Sequence, residues 1–135
     1  MPEGIPYASS NVVASVGKEL NYSGNFAFAY SGVISVDNET IECLNFVTPN
    51  RTIVARVNFA YDVVGFTAGE KIGFEMKLNG QDVINSVGGA DIRANISQYG
   101  LDIVIPPLTH VQFNFVNTDT SGILMSMAFT GELHQ

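Results

Sequence analysis

An all-β sandwich is the fold class this sequence predicts, and three observations predict it. Apolar residues alternate with period two in segment after segment, the pattern of strands with one buried face. Helical spacing is nearly absent. Turn-forming groups, among them Asp37-Asn38, Pro49-Asn50 and Asn79-Gly80, separate the alternating segments. Counted from Phe26, the segments number about eight, the strand count of a jelly roll with its two antiparallel sheets. An immunoglobulin-like sandwich competes, although it usually has seven strands and often a core tryptophan, and this chain has no Trp. The fold expected is a single jelly-roll β-sandwich of about eight antiparallel strands over residues 11–135, preceded by an extended N-terminal arm over residues 1–10.

The arm is read from Pro2, Gly4 and Pro6, which disfavour both helix and ladder. A short candidate strand follows at residues 11–16. Phe26, Phe28 and Tyr30 then alternate with Ala27, Ala29 and Ser31, and Gly32 interrupts the run before Val33, so a bulge or bend is expected there. Asp37-Asn38-Glu39-Thr40 turns the chain into residues 41–47, and Pro49-Asn50-Arg51 turns it again. The cleanest strand comes next: Ile53, Ala55, Val57, Phe59, Tyr61 and Val63 share one face, and Arg56, Asn58 and Asp62 the other. A one-residue slip there would bury Arg56 and Asp62, so the register is well specified. Ile72, Phe74, Met76 and Leu78 alternate with Lys71, Glu75 and Lys77, and Asn79-Gly80 supplies a type I′ hairpin signal leading to a return strand at residues 81–87. Gly88-Gly89 opens the longest irregular stretch, closed by Gly100. Strands at Leu101, Ile103 and Ile105, then at Val111, Phe113 and Phe115, and finally at Ile123 through Leu133 complete the set, with Pro106-Pro107 ending the first of them. Asn-Phe pairs recur at Asn25, Asn45, Asn58 and Asn114, and alternation predicts Asn outward and Phe inward at each.

Composition limits the functions open to such a domain. Charged residues make up 14% of the chain, well below the ~25% usual for soluble domains. A surface poor in charge and rich in Asn, Ser, Thr and Gly suits contact with another subunit, where charges would cost desolvation energy. The net charge is −7, and the six Lys and Arg are scattered, so no basic stripe exists to neutralise phosphates. Neither nucleic acid nor membrane is expected as a partner, since no apolar run approaches the ~20 residues that span a bilayer. The N-terminus has neither the charge nor the apolar stretch of a signal peptide. The one cysteine, Cys43, lies in an apolar strand pattern and reads as a buried, inert thiol.

Groups for catalysis do not converge in the sequence. His110 is expected in a loop and His134 is penultimate, and neither stands in a metal-ligating motif. No nucleophile elbow and no phosphate-binding loop occurs. Asp37, Glu39 and Glu42 gather at one turn, but their spacing is not that of a calcium loop, and a solvated turn is the reading favoured. No catalytic residue, metal or cofactor is therefore expected. Tyr22, Phe66 and Tyr99 are expected in loops, where aromatic rings could contact a glycan or a receptor.

Eight short strands, the N-terminal arm, and Ile105-Pro106-Pro107 followed by two alternating strands ending in Phe129-Thr130-Gly131-Glu132-Leu133 resemble the small single jelly-roll proteins of virus particles, especially phage decoration, cement or spike modules. The resemblance is one of architecture, over most of residues 11–133. It implies a non-enzymatic virion protein that partners with copies of itself, as a trimer or pentamer, and with other capsid proteins. It also implies an arm that grips a neighbour, through Pro2, Ile5, Pro6 and Tyr7. The alternative is a glycan- or receptor-binding sandwich using Tyr22, Phe66 and Tyr99.

Overall fold

A computed structural model describes residues 19–61, 71–89, 98–118 and 122–134. The arm, the candidate strand at residues 11–16, and Phe66 lie outside the described residues. The elements among the described residues are all strands: β1 (Asn21–Ser23), β2 (Phe26–Tyr30), β3 (Ile34–Val36), β4 (Glu39–Val47), β5 (Thr52–Tyr61), β6 (Lys71–Leu78), β7 (Gln81–Gly89), β8 (Gln98–Ile105), β9 (His110–Asn117) and β10 (Ile123–His134). Two antiparallel sheets pack face to face as a β-sandwich. One runs β1-β2-β10-β5-β8, with β3 continuing the β2 position along β10, and the other runs β4-β9-β6-β7.

The pairing is nested. β2 and β3 lie on β10, β4 on β9, β5 on β8, and β6 on β7, so the first strands meet the last as in one long hairpin folded over. β10 against β5, and β9 against β6, then join these pairs into sheets.

Ten strands stand among the described residues where about eight were expected. One addition is β1, which alternation did not reveal. The other comes from the break at Ser31-Gly32-Val33, where Gly32 adopts φ 73° and divides one expected strand into β2 and β3. Ser31 repairs the ladder across the break: its backbone N–H donates to Met127 O at 3.0 Å, and its Oγ accepts from Met127 N at 2.8 Å. Ser31→Ala would leave a buried N–H without that acceptor, and an unfolding free energy lower by about 1–3 kcal/mol is expected in a denaturant titration.

The inward residues of both sheets form one core. Phe59 from β5 meets Phe74 of β6 at 5.1 Å and Phe115 of β9 at 5.7 Å between ring centroids, and Phe46 of β4 meets Phe129 of β10 at 5.1 Å. Each contact crosses from one sheet to the other. Polar ties close the two ends of the sandwich. Asn117 donates from Nδ2 to Val36 O at 2.7 Å. At the other end, Thr48 donates from Oγ1 to Pro106 O at 3.0 Å and accepts from Thr109 N at 2.8 Å. Asn79 and Gly80 take φ 51° and 84°, as a type I′ turn requires.

Alternation mispredicts one strand. Asn25-Phe26 was expected to place Phe inward, yet Ala27 and Ala29 are buried and Phe26 is 58% exposed. The reason lies across the ladder, where Ala29 opposes Phe129 and Ala27 opposes Gly131. Small inward residues on β2 leave the core volume to Phe129 and Phe46. Asn114 also departs from expectation: it lies on the outer face but is buried at 5% exposure, roofed by neighbouring polar side chains.

Candidate functional site

Register defines what each outer face carries. On the six-stranded sheet, Phe26 stands beside Glu132, which opposes Val54, which opposes Val104. The next row runs Phe28, Thr130, Arg56, Asp102, and the next Tyr30, Ala128, Asn58, Gly100. The aromatic side chains of β2 thus line one flank of these rows, beside Glu132, Thr130 and Ala128 of β10. The Phe28 and Tyr30 rings lie 5.6 Å apart. Phe26, Val54, Val104 and Leu124 are large apolar side chains left 46–61% exposed on this one face.

The Arg56–Asp102 ion pair, at 2.8 Å, is more than half exposed at both ends, so it contributes little to stability. Gly100 makes room for it: a Cβ at Gly100 would lie 2.6 Å from an Arg56 guanidinium nitrogen. Phe26, Val54, Arg56, Asp102, Thr130 and Glu132 border a shallow, open depression of about 360 Å³.

The opposite outer face has another chemistry. On the four-stranded sheet, Asn45 donates to Glu42 Oε2 at 2.6 Å, and its Oδ1 lies 2.7 Å from His110 Nε2. Gln112 donates to Asn114 Oδ1, and Asn114 to Glu75 Oε1, both at 3.0 Å. Lys77 pairs with Asp82 at 3.3 Å. These polar side chains satisfy one another and are suited to facing water.

Tyr22 and Tyr99, two of the three aromatic residues expected in loops, are not brought together. Tyr22 lies in β1 and Tyr99 in β8, at opposite edges of the same sheet. Four interstrand steps separate them, roughly 19 Å. Burial raises the Tyr22 phenol above its ordinary value of 10. The neutral phenol is therefore favoured in the fold, and the resulting stability is present below pH ~10 and lost as pH rises through the higher folded value. The difference between spectrophotometric titrations of wild type and Tyr22→Phe is expected to centre above pH ~10, and a lower midpoint would contradict this environment.

His110, expected in a loop, instead begins β9. His134 pairs with Glu132 at 2.9 Å at the end of β10. Glu39 Oε2 accepts from Asp37 N at 3.3 Å, whereas Glu42 is held by Asn45. Among the described residues, no three or more His, Cys, Asp or Glu are grouped to hold a metal ion. Cys43 is buried, as expected, and occupies the extra position of a bulge in β4, where its thiol donates to Phe113 O at 3.3 Å.

The outer face of the six-stranded sheet escaped the sequence reading because Phe26, Phe28 and Tyr30 look like core residues in a period-two pattern. The available signal was the run of Ala27, Ala29 and Ser31 between them. No helix among the described residues is long and apolar enough to cross a membrane. The chain matches no protein-family model and no curated protein sequence.

Proposed function

We propose that this chain is a non-enzymatic structural protein that acts by assembly: a single jelly roll that packs against sister copies, as a trimer or pentamer, in the capsid, decoration or spike layer of a virus particle. One observation carries the assembly reading. The two outer faces of one sandwich differ in their middle: a hydrogen-bonded polar array crosses β4, β9 and β6 on the four-stranded sheet, with Val47 and Val83 exposed only along its β4 and β7 edges, whereas the six-stranded face leaves Phe26, Val54 and Val104 exposed along one row and Leu124 farther along β10. Apolar side chains left exposed beside polar ones suit a contact surface.

The nested pairing supports the jelly roll. With β2 and β3 counted as one broken strand and β1 set aside, a long hairpin of eight strands wound into two sheets has the connectivity of that fold. The place in a virion rests on likeness of architecture, and the site carries the function.

The test is Phe26→Ser together with Val104→Lys, followed by sedimentation velocity beside wild type. Loss of an aromatic anchor at an interface typically costs 2 kcal/mol or more, so the dissociation constant is expected to rise about 30-fold. Circular dichroism should be unchanged, because both side chains lie outside the core. Unchanged association would remove this face from the account. Deleting residues 1–10 is expected to weaken attachment to sister subunits and leave the sandwich folded.

The depression beside Phe26 favours a second reading, a glycan seat, because an exposed ring flanked by Arg56, Asp102 and Glu132 offers stacking and hydrogen bonds to a sugar. Binding on a glycan array, abolished by Phe26→Ala in a chain that stays monomeric, would select it over assembly.

A further inference from the structure

Among the described residues the sandwich has four sheet edges, and they are protected unequally. β1 is three residues long. β4 carries the Cys43 bulge, and β7 a bulge at Val83, where the pairing shifts from Met76 with Ile84 to Lys77 with Asp82. Short or bulged edges resist pairing with other chains. β8 differs, since its eight residues follow β5 in unbroken register from Gln98 with Ala60 to Ile105 with Ile53. No described strand pairs with its far side. Leu101 and Ile103 remain half-buried on its inward side, and Val104 is exposed on its outward side.

We propose that β8 is the edge through which two copies join, β8 against β8 and antiparallel, about a two-fold axis perpendicular to the sheet. This deepens the assembly reading and rests on it for the identity of the partner. Such an axis keeps outer faces together, so opposed residues must come from the same face, and few registers remain. A register centred on Asp102 sets that carboxylate against its own copy, and like charges directly opposed are destabilising. One centred on Ile103 puts Pro106, which has no N–H, opposite Gly100 and sets Val104 against Asp102. One centred on Gly100 shortens the ladder to residues 98–102.

The register centred on Leu101 pairs residues 98–104 and sets Asp102 opposite the sister's Gly100. There the sister's Arg56 guanidinium already fills the space a Cβ would take. Each Asp102 thereby gains the other copy's Arg56, and two reciprocal ion pairs form across the seam. Leu101 meets its own copy on the axis, joining the edges of the two cores.

Exchange of charge tests this. Arg56→Glu alone and Asp102→Arg alone each set like charges across the seam, and each is expected to weaken association on the order of 10-fold or more. An equimolar mixture of the two variants should recover it in light scattering, because each reversed charge then meets its opposite on the other chain. Under mild oxidation Leu101→Cys should give a disulfide-linked dimer and Asp102→Cys should not, with buried Cys43 in the wild type as the unreacted control. Cross-linking through Asp102→Cys instead would overturn the register centred on Leu101, and a mixture that stays apart while wild type still assembles would overturn the β8 seam and leave assembly through the outer face standing. A wild type monomeric at every concentration would overturn both.

Discussion

Phe59→Ala is expected to lower the unfolding free energy by about 3–5 kcal/mol. The side chain is 3% exposed and stands on β5, with the Phe74 and Phe115 rings of the other sheet packed against it. Its removal opens a void at the seam of the sandwich, and the neighbours can relax only partly because they are themselves buried. Against a total stability of roughly 5–15 kcal/mol, this loss would shift a urea midpoint far toward zero. A cost below about 1 kcal/mol would mean that the sheets do not meet through these rings.

Gly131 yields the second large effect, with a sign opposite to the usual one. Glycine within a strand ordinarily weakens it, and alanine commonly adds about 0.4–1 kcal/mol where the backbone permits. Here a Cβ would lie 2.5 Å from the Ile53 Cγ2 atom, 3.2 Å from Val54 O and 3.3 Å from the Ala55 Cβ. Ile53 is fully buried and the carbonyl belongs to the adjacent strand, so neither can yield cheaply. Gly131→Ala is expected to destabilise by about 1–3 kcal/mol, and Gly131→Val by more, measured as a shift in denaturant midpoint at unchanged slope. Stabilisation by Gly131→Ala would contradict the packing described around β10.

These two positions also show what a sequence can and cannot convey. The alternation of β5 carries its own answer, since Ile53, Ala55, Val57 and Phe59 are apolar while Arg56 and Asn58 are not, and the structure buries the first set. Asn79-Gly80 likewise determines its turn locally, through two residues that tolerate positive φ. β2 offers no such contrast. Both of its faces are apolar, so the choice between burying Phe26 or Ala27 depends on Phe129 and Gly131, a hundred residues away in the chain and adjacent in the sheet. The same dependence hid the outer face.

Tyr22 and Tyr99 illustrate a second limit. Each sits beside a turn signal and reads as a loop residue, but ladder partners at Ala27 and Phe59 draw them into strands at opposite edges. Nothing local to either tyrosine encodes that separation. The unequal protection of the edges is equally a matter of pairing: Cys43 and Val83 become bulges only against particular partner strands, and β8 is regular because β5 is.

The outer face bearing Phe26, Val54 and Val104 and the regular β8 edge belong to the same sheet, at right angles to one another. A chain using both would build contacts in two directions, as a shell or layer needs. The solution mass of the intact chain, followed by light scattering from low micromolar concentration upward, bears on this before any substitution is made. A stable multiple of the subunit mass, reduced by Phe26→Ser with Val104→Lys, is the predicted result. A mass that remains that of one subunit throughout, and is indifferent to those substitutions, would contradict the proposal that this sandwich works by assembling with itself.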